Sequence, residues 1–321
     1  MKKPYLFFLV ALLGSVTQSV AEVTIKEVDS DYQVHINDKL FTAYKVKDLR
    51  VPCFYPLHGP DEVPMTRAYP VAKTVPGEAE DHPHHTSLWY SHGDVNGLDF
   101  WHGGGKAHPE KGGKIVHTEV VSMNDGEDRA TLKVKNKWLS LVGDKEICQD
   151  ERAYAFGVYE GNRYLDFQIT IKATQGDVVF GDTKEGTMAI RTHANLRLKG
   201  DVANGKAVNS EGDKDKDLWG KASKWVDYWG KVGEKEVGVA IFDHPKNPRY
   251  PTTWHARDYG LVAANPFGYS YFFKGEGKKG TFTIKAGESV TFRYGFLFHP
   301  GGHDADKLKA VYDLFSQTEA E

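Results

Sequence analysis

The chain has 321 residues, a formal net charge of −3 at neutral pH and an isoelectric point near 6.5. Its lysines and arginines are scattered among acidic residues, so no basic stripe is available to displace counterions from phosphates, and a nucleic-acid-binding surface is excluded. The length suits one large domain, because all-β folds often use about 250 residues as a single unit.

The N-terminus has the pattern of a secretory signal peptide. Lys2 and Lys3 precede an apolar run at 5–16, and residues 19–21 offer a small-x-small cleavage site. We predict a signal peptide at 1–21, a mature chain from Glu22, a periplasmic or secreted location and no membrane contact after cleavage. A retained membrane anchor is the alternative, although the apolar run is short for a span.

Short strands dominate the rest of the sequence, because apolar residues recur every second position between polar turns. The clearest segments are 23–28, 32–36, 40–46, 164–172, 188–199 and 291–299. The last helical pattern is Leu308, Val311, Tyr312 and Phe315, which Asp304 or Asp306 could cap. Within residues 200–220, the charged run at 211–217 reads as a solvated loop, with a calcium loop as the weaker alternative.

These patterns predict a mainly β protein, a large antiparallel β-sandwich of one domain (22–321) with a short C-terminal helix. Its size resembles the supersandwich of galactose mutarotase and other aldose epimerases, in which sugars bind a broad concave polar face. Arg191, His193 and Asn195 alternate on the predicted strand 188–199 and suit such a face. The alternative is that they coat the exterior, since outward sheet faces are routinely polar.

Residues 81–102 concentrate five histidines, three aspartates and two tryptophans, which is typical of a loop that lines a ligand site. Within it we predict His85 and His92 as catalytic and His84, Asp94 and Trp101 as substrate-binding. The histidines could instead hold a metal. Pro83, the opposite directions of adjacent His84 and His85, and the lack of an HExxH motif favour a site without metal or other cofactor.

Two further blocks carry candidate chemistry. In the first, Glu185 could act as an acid or base, with Lys184, Arg191 and His193 binding substrate; the alternative is a solvated turn. In the second, His255 could move a proton, with Trp254 and Arg257 binding substrate. The alternative is that Trp254 lies in the core and that the neighbouring His255 has its hydrogen bonds satisfied within the protein.

The two cysteines, Cys53 and Cys148, lie far apart in the sequence. An oxidising compartment permits a disulfide between them, but buried free cysteines are equally ordinary. The sequence leaves both alternatives open.

Three blocks in order, DHPHHTSLWYSHGDVNGLDFW, FGDTKEGTMAIR and DHPKNPRYPTTWHARDYGLVAANPF, resemble the bacterial secreted PmoA-like (methane oxygenase PmoA) family. Members of that family are similar to proteins found among polysaccharide-degrading genes, which implies a sugar or oligosaccharide substrate. We therefore predict a carbohydrate-active enzyme of hydrolase, lyase or epimerase type that works by proton transfer from histidine and carboxylate. The alternatives are a non-catalytic sugar-binding protein and a metal-dependent oxygenase.

Overall fold

A computed structural model describes residues 20–105 and 108–318. Residues 1–19 lie outside this part, so the predicted signal peptide stays a prediction. Within the described part, no helix is long and apolar enough to cross a membrane.

The described residues form strands joined mostly by tight turns. In chain order they are β1 Glu22–Val28, β2 Asp31–Ile36, β3 Lys39–Lys45, β4 Cys53–Leu57, β5 Leu88–His92, β6 Gly113–Asn124, β7 Gly126–Glu127, β8 Arg129–Ser140, β9 Glu146–Tyr159, β10 Asn162–Lys172, β11 Val178–Phe180, β12 Gly186–Arg191, β13 Lys206–Asn209, β14 Trp225–Val232, β15 Lys235–Asp243, β16 Trp254–Ala256, β17 Leu261–Ala264, β18 Phe282–Ile284 and β19 Ser289–Pro300. The α-helices are α1 Tyr269–Phe272 and α2 Ala305–Gln317.

Two large antiparallel sheets contain most of these strands. One has nine strands in the order β16-β17-β12-β5-β4-β3-β2-β1-β7, and the other has eight in the order β13-β14-β15-β19-β10-β9-β8-β6. The predicted fold class is confirmed: the protein is mainly β, built from antiparallel sheets, with a short C-terminal helix. The hairpins β1–β2–β3 and the long strands β10 and β19 follow the predicted segments closely.

The main core lies between the two sheets. Aromatic rings meet across it, as in Phe54 with Tyr154 (4.8 Å between ring centroids) and Tyr90 with Phe167 (6.4 Å). A charged pair is enclosed in the same interior: Arg152 Nη2 lies 2.9 Å from Asp150 Oδ2, and both side chains are almost fully buried. The Asp150 carboxylate also accepts hydrogen bonds from Asn136 and Trp138, so its oxygens are well satisfied.

Helix α2 covers the outer face of the eight-stranded sheet. Leu308, Val311, Tyr312 and Phe315 pack on Phe242 and its neighbours, and Asp304 caps the helix by accepting a hydrogen bond from the Lys307 N–H. The predicted apolar spacing and cap are therefore confirmed.

Next to the start of α2, buried Asp227 accepts hydrogen bonds from His299 (3.0 Å) and His303 (2.8 Å). His303 also stacks on Trp229, so this group joins β14 and β19 to the segment that leads into the helix. Neither histidine is among the site residues predicted from the sequence.

Two local predictions are wrong. The strand predicted at 188–199 ends at Arg191, because the chain turns and Ala194–Leu196 form a 3₁₀ turn whose Asn195 N–H bonds to the His193 ring. Residues 81–102 are not all loop, since β5 runs through them. The charged run at 211–217 is largely exposed, as predicted, and another 3₁₀ turn, Asp215–Leu218, begins within it. Cys53 and Cys148 are both buried and free.

Candidate functional site

A row of four residues in register crosses the end of the nine-stranded sheet. Trp89 on β5 is opposite Ala189 on β12, Ala189 is opposite Ala263 on β17, and Ala263 is opposite His255 on β16. Directly opposed side chains share one face of a sheet, so two large rings flank two methyl groups. Tyr90, the neighbour of Trp89, faces the core, which means that this row faces away from the eight-stranded sheet.

Arg191 lies two residues along β12 from Ala189 and so belongs to the same face. Its side chain is 1% exposed. Its Nη2 donates to Asp81 Oδ1 over 2.8 Å, and its guanidinium sits 4.7 Å from the Tyr259 ring centroid. Burial lowers the pKa of Arg191 to about 10, with nearby Arg67 acting in the same direction, so the group is still charged at neutral pH.

Arg67 fastens the loop at 79–85 over this face. Its Nη1 donates to the Ala79 and Asp81 carbonyls and to Asp81 Oδ1, and its Nη2 donates to the His82 carbonyl. Partial burial acts to raise the pKa of Asp81, but Arg191, His82 and Arg67 hold it below its usual value. Asp81 is thus an ionised bridge between two buried guanidinium groups.

The same loop places His85 beneath its surface. Arg191 Nη1 donates to His85 Nδ1 over 3.0 Å. Because a guanidinium has no acceptor, Nδ1 must offer a lone pair, and the hydrogen of the neutral ring is on Nε2. Burial, followed by the neighbouring His84 and Arg191, holds the pKa of His85 well below its usual value. His85 is therefore a neutral hydrogen-bond donor at working pH.

Stacked rings cover His85. His82 lies 4.7 Å from His85 and 5.0 Å from Tyr259, nearly parallel to both, and Trp89 stacks on His85 from another side at 5.4 Å. His84 packs against His102 at 4.4 Å, and burial, followed by His102, lowers its pKa to about 3. His82, His84 and His85 are therefore neutral around pH 7.

His255 marks the other end of the row and is 2% exposed. Its pKa falls to about 3, first because burial disfavours the charged ring and then because Lys184 and Arg257 repel it, while a hydrogen bond to the Lys184 backbone acts in the opposite direction. Its Nδ1 is buried and has no partner among the described residues. A neutral ring that donates to the Lys184 carbonyl through Nε2 presents a lone pair at Nδ1.

Residues 31–313 match the model of a protein family of unknown function, DUF6807. The chain belongs to this family. The narrower resemblance to PmoA-like proteins stays a prediction.

Solved structures are similar to this chain only weakly. The Slr1438 protein from Synechocystis sp. PCC 6803 matches 91% of this chain and 100% of its own, with 8% identity and a TM-score of 0.38. A galactose mutarotase related enzyme from Lactobacillus acidophilus matches 86% of this chain and 97% of its own, with 10% identity and a TM-score of 0.31. A search of curated proteins finds no significant match.

The fold of this DUF6807 member brings several predicted site residues to one region, which we call the His85–His255 face. They are His84, His85, Trp101, Lys184, Arg191, His255 and Arg257. Glu185 lies at its edge in an ion pair with Lys184. The predicted grouping therefore depends on the pairing of β5, β12, β17 and β16 and on the loops that flank these strands.

Four predicted residues make other contacts instead. His92 is at the far end of β5, where its Nε2 bonds to the Gly181 carbonyl, and Asp94 closes a turn through the Gly97 N–H. Trp254 is fully buried on the face opposite His255 and donates to the Ser223 carbonyl. His193 accepts from the 3₁₀ turn. These contacts place the four residues outside the His85–His255 face, and their predicted roles stay predictions.

Sequence reasoning missed other members of the face, chiefly Arg67, Asp81 and Tyr259. Asp81 and Tyr259 lie inside or beside the blocks that were singled out, so proximity in sequence offered a signal for them. Arg67 offered none, because its role depends on bonds to the loop at 79–85. Within 20–105 and 108–318, no three His, Cys, Asp or Glu side chains are arranged to hold a metal ion.

Proposed function

We propose that this protein is a carbohydrate-active enzyme that moves a proton at a sugar carbon, as lyases and epimerases do, with His255 as the base. The observation that carries this proposal is the buried, unpartnered Nδ1 lone pair of His255 on a face that also presents fixed hydrogen-bond donors. The carbohydrate class rests on the sequence resemblance to PmoA-like proteins, and the periplasmic or secreted location rests on the N-terminal pattern.

Proton abstraction leaves negative charge on the substrate, and the face contains groups that can stabilise it. His85 is fixed as a neutral donor through Nε2, and Arg191 is a permanent cation beside it. Donors that are already oriented stabilise developing charge without reorganisation, which is commonly the largest contribution to enzymatic rate enhancement. His85 is thus assigned to charge stabilisation rather than to the proton transfer expected from the sequence.

The carboxylates favour this chemistry over glycoside hydrolysis. Hydrolysis usually needs two carboxyl groups, one as acid and one as base or nucleophile. Asp81 is held between Arg67 and Arg191, and Glu185 is paired with Lys184. Both carboxylates are therefore engaged in ion pairs, whereas His255 Nδ1 has no partner among the described residues.

Hydrogen exchange tests the proposal directly. Wild-type protein is incubated in D₂O with a panel of neutral and acidic sugars and oligosaccharides, and proton NMR follows deuterium at each ring carbon. We expect deuterium at one carbon of the accepted sugar, or an unsaturated product that lacks the hydrogen of that carbon. Cleavage that gives only saturated products without deuterium on carbon would contradict the proposal and favour hydrolysis.

The pH dependence of exchange should be set by His255. Its pKa near 3 leaves the free enzyme in the basic form, so kcat/KM should stay level from about pH 8 down to pH 5. Lys184→Met removes a repelling cation and releases the Glu185 carboxylate. Both changes raise the pKa of His255, so the acid limb should move to higher pH.

Lys235→Met is the matched control, since Lys235 is an exposed lysine paired with Asp61 and takes no part in the site. Its pH profile should follow that of the wild type. An acid limb that stays in place in Lys184→Met would show that another group sets the profile.

A further inference from the structure

The His85–His255 face has more buried positive than negative charge. Arg67 and Arg191 are 2% and 1% exposed, and both bond to the same carboxylate, Asp81. Glu78 also acts on Arg67, whereas Arg191 has only a share of Asp81 as its counterion, so Arg191 is the less compensated of the two guanidinium groups. A buried, incompletely compensated charge is costly, and an anionic ligand would offset that cost.

Hydrogen-bond donors without acceptors accompany this charge. Arg191 Nε and Trp101 Nε1 are buried and have no partner among the described residues. Both adjoin His85, which bonds to Arg191 and lies 5.7 Å from the Trp101 ring. A buried N–H without an acceptor is uncommon in folded proteins, and these atoms can only donate. They therefore call for a ligand rich in acceptor oxygens.

The rim of the face is also positively charged. Arg257 lies beside the Tyr259 ring, 5.5 Å from its centroid, and both Arg257 and Lys184 are close enough to His255 to lower its pKa. Glu185 neutralises Lys184 by its ion pair. Arg257 is therefore a further cation, in addition to Arg191, at the rim of the face. Cations both beneath and beside the face favour an anion that approaches from solvent.

We infer that the substrate is an acidic sugar, a uronate or similarly carboxylated unit, whose carboxylate binds at Arg191 and whose adjacent carbon faces His255. This inference rests on the proposed function and narrows its substrate. A planar carboxylate matches the paired donors of a guanidinium, whereas the hydroxyl groups of a neutral sugar leave the charge uncompensated.

The side chains of the face, together with solvent water, account for each proton and electron pair in the reaction of such a substrate. His255 Nδ1 takes the proton from the carbon next to the carboxylate, and the electron pair of the C–H bond moves into an enediolate held by Arg191 and His85. In elimination the bond to the oxygen on the next carbon breaks, a C=C bond forms, and the His255 proton passes to the leaving oxygen. In epimerisation a proton from solvent water reaches the opposite face of the carbon instead, and His255 returns its proton to solvent. No oxidant, reductant or second substrate is required.

Binding of matched sugars tests the inference. Calorimetric titration of the wild-type protein compares glucuronate and galacturonate with glucose and galactose, with sodium sulfate as an anion control. We expect at least one uronate to bind about tenfold or more tightly than its neutral counterpart, because its carboxylate forms charge-assisted bonds. The preference should shrink in Arg257→Gln, which lies at the rim, and in Arg191→Gln, and should persist in Lys235→Gln.

Equal binding of neutral and acidic sugars would overturn the inference. It would leave the proposed function intact if His255-dependent deuterium exchange still occurred on the neutral sugar. Sulfate that displaces the uronate at equal concentration would also overturn it, because the site would then select an anion rather than a sugar acid. If the uronates bind but no bound sugar of either class exchanges a proton or forms an unsaturated product, the proposed function fails while the anionic preference stands.

Discussion

Replacement of His255 by glutamine should abolish most of the catalytic turnover. Glutamine can keep the hydrogen bond to the Lys184 backbone, but its amide oxygen is not a usable base, so proton transfer loses its acceptor. General-base catalysis typically contributes about 10² to 10⁴-fold to rate, and we expect kcat for deuterium exchange to fall within that range. Substrate affinity should change far less, because Arg191 and His85 remain in place.

The fold should tolerate this change. His255 is neutral and buried, and a substitution of similar size typically costs less than about 1.5 kcal/mol. His108→Gln is the control, because the His108 side chain is largely exposed and pairs only with Glu110. A His255→Gln variant that keeps at least half of the wild-type exchange rate would remove His255 from the mechanism.

Replacement of Asp150 by alanine should cause a large loss of stability. The carboxylate accepts bonds from Asn136, Trp138 and Arg152 inside the core, and its removal leaves the Arg152 guanidinium buried without a counterion. Removing one partner of such a pair typically costs about 3 to 5 kcal/mol in the free energy of unfolding. Denaturant unfolding measures this cost.

The double variant Asp150→Leu with Arg152→Met separates charge from packing. It removes both charges, and we expect it to recover much of the stability lost by the single change. Lys309→Ala, which breaks an exposed pair with Asp313 on α2, should cost less than about 1 kcal/mol. A loss in Asp150→Ala no larger than that of Lys309→Ala would contradict the account of the core.

The fold could be predicted because its strands alternate apolar and polar residues over many positions, as β10 and β19 do. Strand β5 could not, because Leu88 to His92 are buried on both faces and show no alternation. The prediction that the strand continues beyond Arg191 was wrong for a different reason. Residues 192–196 turn away through bonds to distant segments, such as His193 N–H to the Met65 carbonyl, that a local pattern does not record.

The candidate site could likewise be predicted from the sequence only in part. The residue types pointed to the correct blocks, but adjacent residues on a strand face opposite sides, and sequence alone does not say which faces the ligand. Trp254 and His255 illustrate this, since one is in the core and the other is on the site face. The pairing of Arg67 and Arg191 with one carboxylate spans 124 positions from Arg67 to Arg191, and only the folded chain reveals it.

A structure of the protein with a bound uronate is the most direct test of the central claim. We expect the sugar on the His85–His255 face, with its carboxylate at Arg191 and with the adjacent ring carbon about 3 to 3.5 Å from His255 Nδ1. A sugar bound instead in the cleft that Trp229, Lys206 and Glu236 help to line, with the His85–His255 face unchanged, would contradict it.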